Sequence, residues 1–125
     1  HLVHPLGFAM TKKSLRRASL DYEEATKITH HDNIKEMNKY FAGRGYYAIS
    51  TKGKTLFNDA KIKQNDVFLF GSETKGLPKN ALSSKKCLGI LRVPMVNGSR
   101  SINLANAVSI VAYEALRQLD YPGLT

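Results

Sequence analysis

The sequence predicts an α/β fold, a mainly parallel sheet with flanking helices, and three observations carry that prediction. Short, continuous apolar runs alternate with stretches of helical periodicity, the pattern of strands joined through crossovers rather than hairpins. The runs stop at glycine, proline or a polar turn, as buried strands do. The length, 125 residues with 42% hydrophobic side chains, suits one domain with a real core.

Taken in chain order, Asn33 to Phe41 reads as a helix with Asp32 or Asn33 as its cap. Tyr46-Tyr47-Ala48-Ile49-Ser50 is a short strand that ends at the turn signal Thr51-Lys52-Gly53-Lys54. Val67-Phe68-Leu69-Phe70, bounded by Asp66 and Gly71, has the continuous apolar character of a buried parallel strand. Leu88 to Val93 is a third strand, stopped by Pro94. Ser101 is placed to cap a long helix from Ile102 to Leu119. Ile102, Ala105, Val108, Ala112, Ala115 and Leu119 form one stripe, and Leu104, Ala107, Val111 and Leu116 widen it. A helix apolar on more than one face is covered on both sides. Periodicity alone leaves open whether a subunit interface or a central core does the covering.

Charge and composition narrow the function classes. Nineteen Lys and Arg against ten Asp and Glu give a net charge of +9, which points to a polyanion such as nucleic acid, or to an anionic membrane surface. The surplus sits in two blocks: residues 1–20 carry four bases and no acid, and residues 61–100 carry eight bases against Asp66 and Glu73. A single cysteine, Cys87, excludes an intramolecular disulfide scaffold, and no apolar stretch is long enough to span a membrane. With no signal-peptide pattern in the first twenty residues, the expectation is a reducing, cytoplasmic setting. The chain opens on His1 instead of methionine, so the expectation is a processed or incomplete product.

Several motif matches fail on context. Gly43-Arg44-Gly45-Tyr46-Tyr47-Ala48 satisfies the dinucleotide pattern G-x-G-x-x-A, but it precedes a strand where the fingerprint must follow one. Gly71 to Gly76 has P-loop glycine spacing with Leu77 in place of the phosphate-binding lysine. Asn97-Gly98-Ser99 fits a glycosylation acceptor, yet Asn-Gly reads better as a tight turn. His30 and His31 are adjacent and so diverge on a helix or a strand, which argues against a metal site and for two partly exposed polar residues. There is no nucleophile elbow.

Two segments hold more. Phe68-Leu69-Phe70-Gly71-Ser72-Glu73-Thr74-Lys75-Gly76-Leu77-Pro78 follows the best strand, at the carboxyl edge where open α/β sheets bind ligands. Glu73 is the only acid between Asp66 and Glu114. The second segment runs from Leu91 through Arg92-Val93-Pro94-Met95 to Ser109, a strand end, a loop and a helix start. Ser99, Ser101 and Asn103 bring polar groups to that helix N-terminus, which suits an anion as readily as a cap. Asn106 and Ser109 fall inside an otherwise apolar helix, where burial requires a hydrogen-bonding partner in a loop or ligand.

These two segments, followed by Tyr113-Glu114-Ala115-Leu116-Arg117-Gln118-Leu119, resemble the second and third motifs of the SPOUT (SpoU-type) RNA 2′-O-methyltransferases. Within that superfamily the chain is most similar to the TrmL-like tRNA methyltransferases of the wobble nucleotide. Pro5-Leu6-Gly7-Phe8, Leu15-Arg16-Arg17-Ala18, Leu20-Asp21-Tyr22, Thr51-Lys52-Gly53 and Leu119-Asp120-Tyr121-Pro122-Gly123 carry the likeness over nearly the whole chain.

The resemblance implies a C-terminal trefoil knot, S-adenosylmethionine as cofactor and a homodimer acting on tRNA. It implies a cofactor pocket of three loops: Ile49 and Thr51; Gly71, Glu73 and Gly76; and Val93, Met95 and Ser101. Arg100 becomes the candidate catalytic-site cation for RNA phosphate or ribose, and Glu73 and Asn103 would orient loops or substrate. Tyr113 either touches RNA or packs. Lys12, Lys13, Arg16 and Arg17 share one face if helical and would bind the tRNA backbone in a salt-sensitive way. The family's first motif, which carries an arginine assigned to the 2′-hydroxyl proton, is absent, and the chain starts within the strand that follows it. The expectation is one SPOUT domain over residues 1–125 lacking about 30 residues at its N-terminal side. A non-catalytic RNA-binding module on the same fold is the alternative, and a nicotinamide enzyme a distant third.

Overall fold

The protein is described from a computed structural model, which covers residues 1–7, 13 and 27–125. These form two compact units, His1–Ala42 and Gly43–Thr125. Lys13 is helical and exposed, whereas Lys12, Arg16 and Arg17 lie outside the described residues.

In the first unit, strand β1 (Leu2–Val3) pairs in parallel with β2 (His30–His31), in register Leu2 to His30. Helix α1 (Ile34–Tyr40) starts at Asn33, whose side-chain oxygen accepts the Glu36 N–H at 2.9 Å. Of the two cap candidates, Asn33 takes the role, and Met37 is the buried side chain of the helix.

Both histidines of β2 meet a partner across the seam. His31 faces His1, with Nε2 and Nδ1 3.0 Å apart, and His30 faces His4 at 2.8 Å. In each pair the ring centroids stand 5.2 Å apart, close to the nitrogen separation plus the two ring radii, so the rings meet nearly end to end. That is the arrangement of an N–H···N hydrogen bond, not of two lone pairs converging on a third atom. The two neighbours do diverge, as alternation requires. The expectation that both are partly exposed is corrected for His31, which is 5% exposed beneath Tyr40 and His1.

The second unit holds a four-stranded sheet. Its elements are β3 (Tyr46–Ile49), β4 (Thr55–Leu56), a single 3-10 turn at Phe57–Asp59, β5 (Val67–Phe70), helix α2 (Lys79–Ser83), β6 (Cys87–Arg92) and helix α3 (Leu104–Gln118). The spatial order is β4-β6-β3-β5, and every pairing is parallel, as the sequence predicts. The three predicted strands are present, β3 ending and β6 both starting and ending one residue earlier than expected.

Register sets which residues share an edge. Ile49 pairs with Phe70 on one side and with Leu91 on the other, so β3, β5 and β6 end level. The pairing between β3 and β6 slips between Tyr46 and Tyr47, where Leu88 bulges out over Gly45. A Cβ on Gly45 would stand 2.7 Å from the Leu88 side chain, so the bulge needs glycine there.

The core of this unit is Tyr46, Ala48, Leu69, Ala81, Leu91 and Val111. Tyr46 is its largest fully buried side chain, and its hydroxyl donates to the Ala81 carbonyl at 2.6 Å, which ties β3 to α2. Burial pushes the Tyr46 phenol above its ordinary pKa.

Helix α3 corrects three expectations. It begins at Leu104, not Ile102, because Asn103 rather than Ser101 caps it, its Oδ1 accepting the Asn106 N–H at 3.2 Å. The inward face is Leu104, Ala107, Val111 and Gln118, while Ala105, Val108 and Ala112 of the predicted stripe face outward. Asn106 and Ser109 therefore lie exposed, and Ser109 satisfies its hydroxyl on the Ala105 carbonyl at 3.0 Å, without a loop or ligand. Among the described residues no helix is long and apolar enough to cross a membrane.

Candidate functional site

The level ends of β3, β5 and β6 send three loops out from one edge of the sheet, and these loops enclose a cavity of about 260 Å³. Ligands of open parallel sheets bind at this carboxyl edge, beside strands whose connections run in opposite directions. Here β3 is followed by β4 on one side of the sheet and by β5 on the other.

The first loop is a turn pinned from two directions. Gly53 N–H donates to the Ser50 carbonyl at 3.1 Å, and the Lys52 N–H to the Ser50 hydroxyl at 3.2 Å. Arg92, at the end of β6, donates from Nε to the Gly53 carbonyl at 3.2 Å. Gly53 is buried so close to β6 that a Cβ would stand 2.8 Å from the Ile90 carbonyl oxygen.

The second loop folds back on itself. Gly76 N–H donates to the Ser72 carbonyl at 3.0 Å, and the Ser72 hydroxyl accepts from the Lys75 N–H at 3.1 Å. Gly71 lies directly against the Gly76–Leu77 peptide, and a Cβ there would collide with that backbone. Gly76 has φ +66°, a conformation glycine adopts without cost. Both glycines are thus demanded by the shape of the loop.

The third loop leaves β6 through Val93, Pro94 and Met95. It reverses at a tight turn in which the Ser99 N–H donates to the Val96 carbonyl at 3.1 Å and Gly98 has φ +81°. The Asn97-Gly98 turn is as expected. The loop then delivers Ser101 and Ile102 to the cavity wall and enters α3.

Glu73 joins the second loop to the helix that follows the third. Its Oε1 accepts from Asn103 Nδ2 at 3.4 Å and from the Leu104 N–H at 3.3 Å. A carboxylate at a helix N-terminus meets the positive end of the backbone dipoles. The only acid in its stretch of sequence is therefore engaged with the helix N-terminus.

All eight residues that the resemblance assigns to a pocket line this cavity: Ile49, Thr51, Gly71, Glu73, Gly76, Val93, Met95 and Ser101. Asn103 is brought to Glu73 but does not line it, and neither do Arg100 and Tyr113. Arg100 is exposed on the third loop and makes no hydrogen bond or ion pair with a described residue. Tyr113 is 65% exposed on α3, so within one chain it does not pack.

Residues to which sequence reasoning gives no place in the pocket also line the cavity, among them Lys52, Leu82 and Ala107. Lys52 belongs to the predicted turn after the strand, and its signal is a cation beside a strand end. Leu82 belongs to a five-residue helix too short to show periodicity, and Ala107 was assigned only to a broadened stripe.

The wall combines apolar and polar surface. Ile49, Phe70, Leu77, Val93 and Met95 supply the apolar part. Hydroxyls of Thr51, Ser72 and Ser101, with the Glu73 carboxylate, supply polar groups at defined points. Among the described residues no group of three or more His, Cys, Asp or Glu side chains is disposed to hold a metal ion.

Comparison with known proteins agrees with the fold. Residues 1–113 match the model of the SpoU rRNA methylase family. The chain is 43% identical over 123 residues to the tRNA (cytidine(34)-2′-O)-methyltransferase of Escherichia coli K12, covering 98% of this chain and 78% of that protein. The enzyme of the same description from Saccharophagus degradans is also 43% identical, with 80% of its length covered. A solved structure described as giving insight into 2-OH methylation of C/U34 on tRNA superposes with a TM-score of 0.84 at 37% identity, over 96% of this chain and 78% of that one.

Proposed function

The chain belongs to the SpoU rRNA methylase family, and on that footing we propose that it is a tRNA ribose 2′-O-methyltransferase acting on the anticodon wobble nucleotide, a cytidine or a modified uridine. The observation that carries this reading furthest is the convergence of three loops, far apart in sequence, on one cavity at the ends of β3, β5 and β6. In this reading the cavity takes S-adenosylmethionine. Ile49 and Thr51, Gly71, Glu73 and Gly76, and Val93, Met95 and Ser101 would hold it.

When bound, the cofactor supplies a methyl group on a sulfonium, which leaves as a neutral thioether. The protein's tasks are then alignment of the ribose 2′-oxygen with the methyl carbon, and relief of the hydroxyl proton. Glu73 and Asn103 fix the second loop against α3 and so hold the cavity wall in place. Arg100, exposed next to the cavity-lining Ser101 and unpartnered among the described residues, is the cation offered to RNA. Lys12, Lys13, Arg16 and Arg17 would also bind the tRNA backbone.

The reading brings further features with it. The family fold includes a trefoil knot in the C-terminal half. The match to the family model runs through both compact units, which supports treating them as parts of one domain. A homodimer is supported by Val108, Ile110 and Tyr113, large apolar side chains left exposed on α3. The setting is the cytoplasm, where tRNA is modified. Calorimetry with S-adenosylmethionine, followed by methyl transfer to tRNA by the full-length protein, tests the proposal. Absence of cofactor binding would overturn it, and binding of tRNA without methyl transfer would point to a non-catalytic module.

A further inference from the structure

We propose that Lys52 and Lys75 together hold the phosphodiester on the 3′ side of the ribose that is methylated; the inference rests on the reading of the cavity as the methyl-transfer site. The two lysines come from different loops, Lys52 from the turn after β3 and Lys75 from the loop after β5, yet both line the one cavity. Both are exposed, and neither ammonium group has a hydrogen-bond or ion-pair partner among the described residues. The one carboxylate in the wall, Glu73, is drawn to Asn103 and the Leu104 N–H through Oε1 and makes no ion pair with either lysine.

Each lysine also leaves its loop from a fixed point. The backbone N–H of Lys52 is held by the Ser50 hydroxyl at 3.2 Å, and that of Lys75 by the Ser72 hydroxyl at 3.1 Å. Two lysines thus enter the lining of one cavity from two loops whose turns are hydrogen-bonded. Two exposed cations on one cavity wall, neither engaged by a described acid, favour an anion brought by the ligand.

The substrate brings such an anion of necessity. In RNA the 2′-oxygen and the 3′-oxygen sit on adjacent ring carbons, so a nucleotide that presents its 2′-oxygen to this cavity carries its 3′ phosphodiester to the mouth. Two lysines binding that group fix the ribose in two directions, which is the alignment an in-line transfer requires. Lysine binds phosphate as a point charge, with no demand for bidentate geometry.

The test is a binding cycle between protein and RNA, using an anticodon stem-loop and the same stem-loop with one neutral methylphosphonate 3′ of the target nucleotide. For the native RNA, Lys52→Ala and Lys75→Ala are each expected to weaken binding about tenfold. The slope of log affinity against log salt should fall by about 0.7 for each lysine removed. The neutral linkage should weaken binding to the wild type but leave the double variant nearly unaffected. A neutral linkage that costs both proteins equally, or an unchanged salt slope, would overturn the contact. Affinity for S-adenosylmethionine should be unchanged in the variants. A loss there would assign the lysines to the cofactor instead and also overturn the proposal. Lys52→Arg and Lys75→Arg should retain RNA binding. Because binding is read without methyl transfer, failure of the enzymatic reading appears separately, as a wild type that binds RNA and transfers nothing.

Discussion

The Glu73 carboxylate oxygen Oε1 stands 3.4 Å from Asn103 Nδ2, across thirty residues of chain, and so joins the loop after β5 to the cap of α3. The same oxygen accepts the Leu104 N–H, and Asn103 in turn accepts from the Asn106 N–H. One short chain of hydrogen bonds therefore sets both a helix start and a wall of the cavity. Glu73→Gln keeps the shape and removes the charge, and should cost stability only about 0.3–1 kcal/mol, the scale of a carboxylate at a helix N-terminus. Asn103→Ala removes the cap and should cost about 1 kcal/mol. Urea unfolding measures both. Cofactor affinity should fall in both variants, and a fall in stability without a fall in affinity would detach this network from the site.

Gly71 offers a sharper lesion. Because its missing side chain is filled by the Gly76–Leu77 peptide, even Gly71→Ala must push the second loop out of place. Displacements of this kind cost about 1–3 kcal/mol, so cofactor affinity should drop by about tenfold or more. Gly71→Arg should abolish it. Calorimetry with S-adenosylmethionine reads the result, and an Ala variant that binds like the wild type would mean the cavity is not the cofactor site.

Tyr46 tests the core beneath the site. Its buried hydroxyl donates to the Ala81 carbonyl at 2.6 Å, so Tyr46→Phe leaves that carbonyl without this donor. Such a loss costs about 1–3 kcal/mol, and chemical denaturation should show the lower midpoint with an unchanged slope.

The dependence of stability on pH should carry the mark of Glu114. Arg117 grips its carboxylate at 2.8 and 2.9 Å, Gln118 adds a bond at 2.8 Å, and together they hold its pKa down at about 2 from 4.5. A carboxylate whose pKa is lower when folded stabilises the protein fully above its unfolded value. That contribution is lost as pH falls through the folded value, between 4.5 and about 2. Gln118 also accepts the Ile62 N–H at 2.9 Å, so this cluster anchors α3 to the loop before β5. Glu114→Gln should flatten the loss of stability over that acid range, as followed by thermal melts at stepped pH. A variant as acid-sensitive there as the wild type would contradict it.

What the sequence reveals and conceals follows from element size. Val67–Phe70 and its neighbours are legible because a buried parallel strand is a continuous apolar run with a hard stop. The loops are legible because glycines, hydroxyls and a lone acid cluster after those runs. The strands Leu2–Val3, His30–His31 and Thr55–Leu56 have two residues each, too few for any period to show. Strand order is hidden because it depends on which way each crossover turns. Ser101 and Asn103 are both good caps, and only the path of the loop after Gly98 decides between them.

The two apolar faces of α3 pose the last question, since periodicity finds both and cannot say which turns inward. Leu104, Ala107 and Val111 do, which leaves Val108 40%, Ile110 38% and Tyr113 65% exposed in the single chain. Large apolar side chains left exposed along one helix mark a surface that a partner can cover. In the homodimer proposed here, that partner is a second copy. Val108→Lys with Ile110→Asp adds charges at two exposed positions of the helix and leaves Val111 untouched, so the monomer should still fold. Light scattering after size exclusion should show a dimer for the wild type and a monomer for the variant, with far-ultraviolet circular dichroism unchanged. A variant that remains dimeric would move the interface elsewhere, and a wild type that is monomeric would remove it.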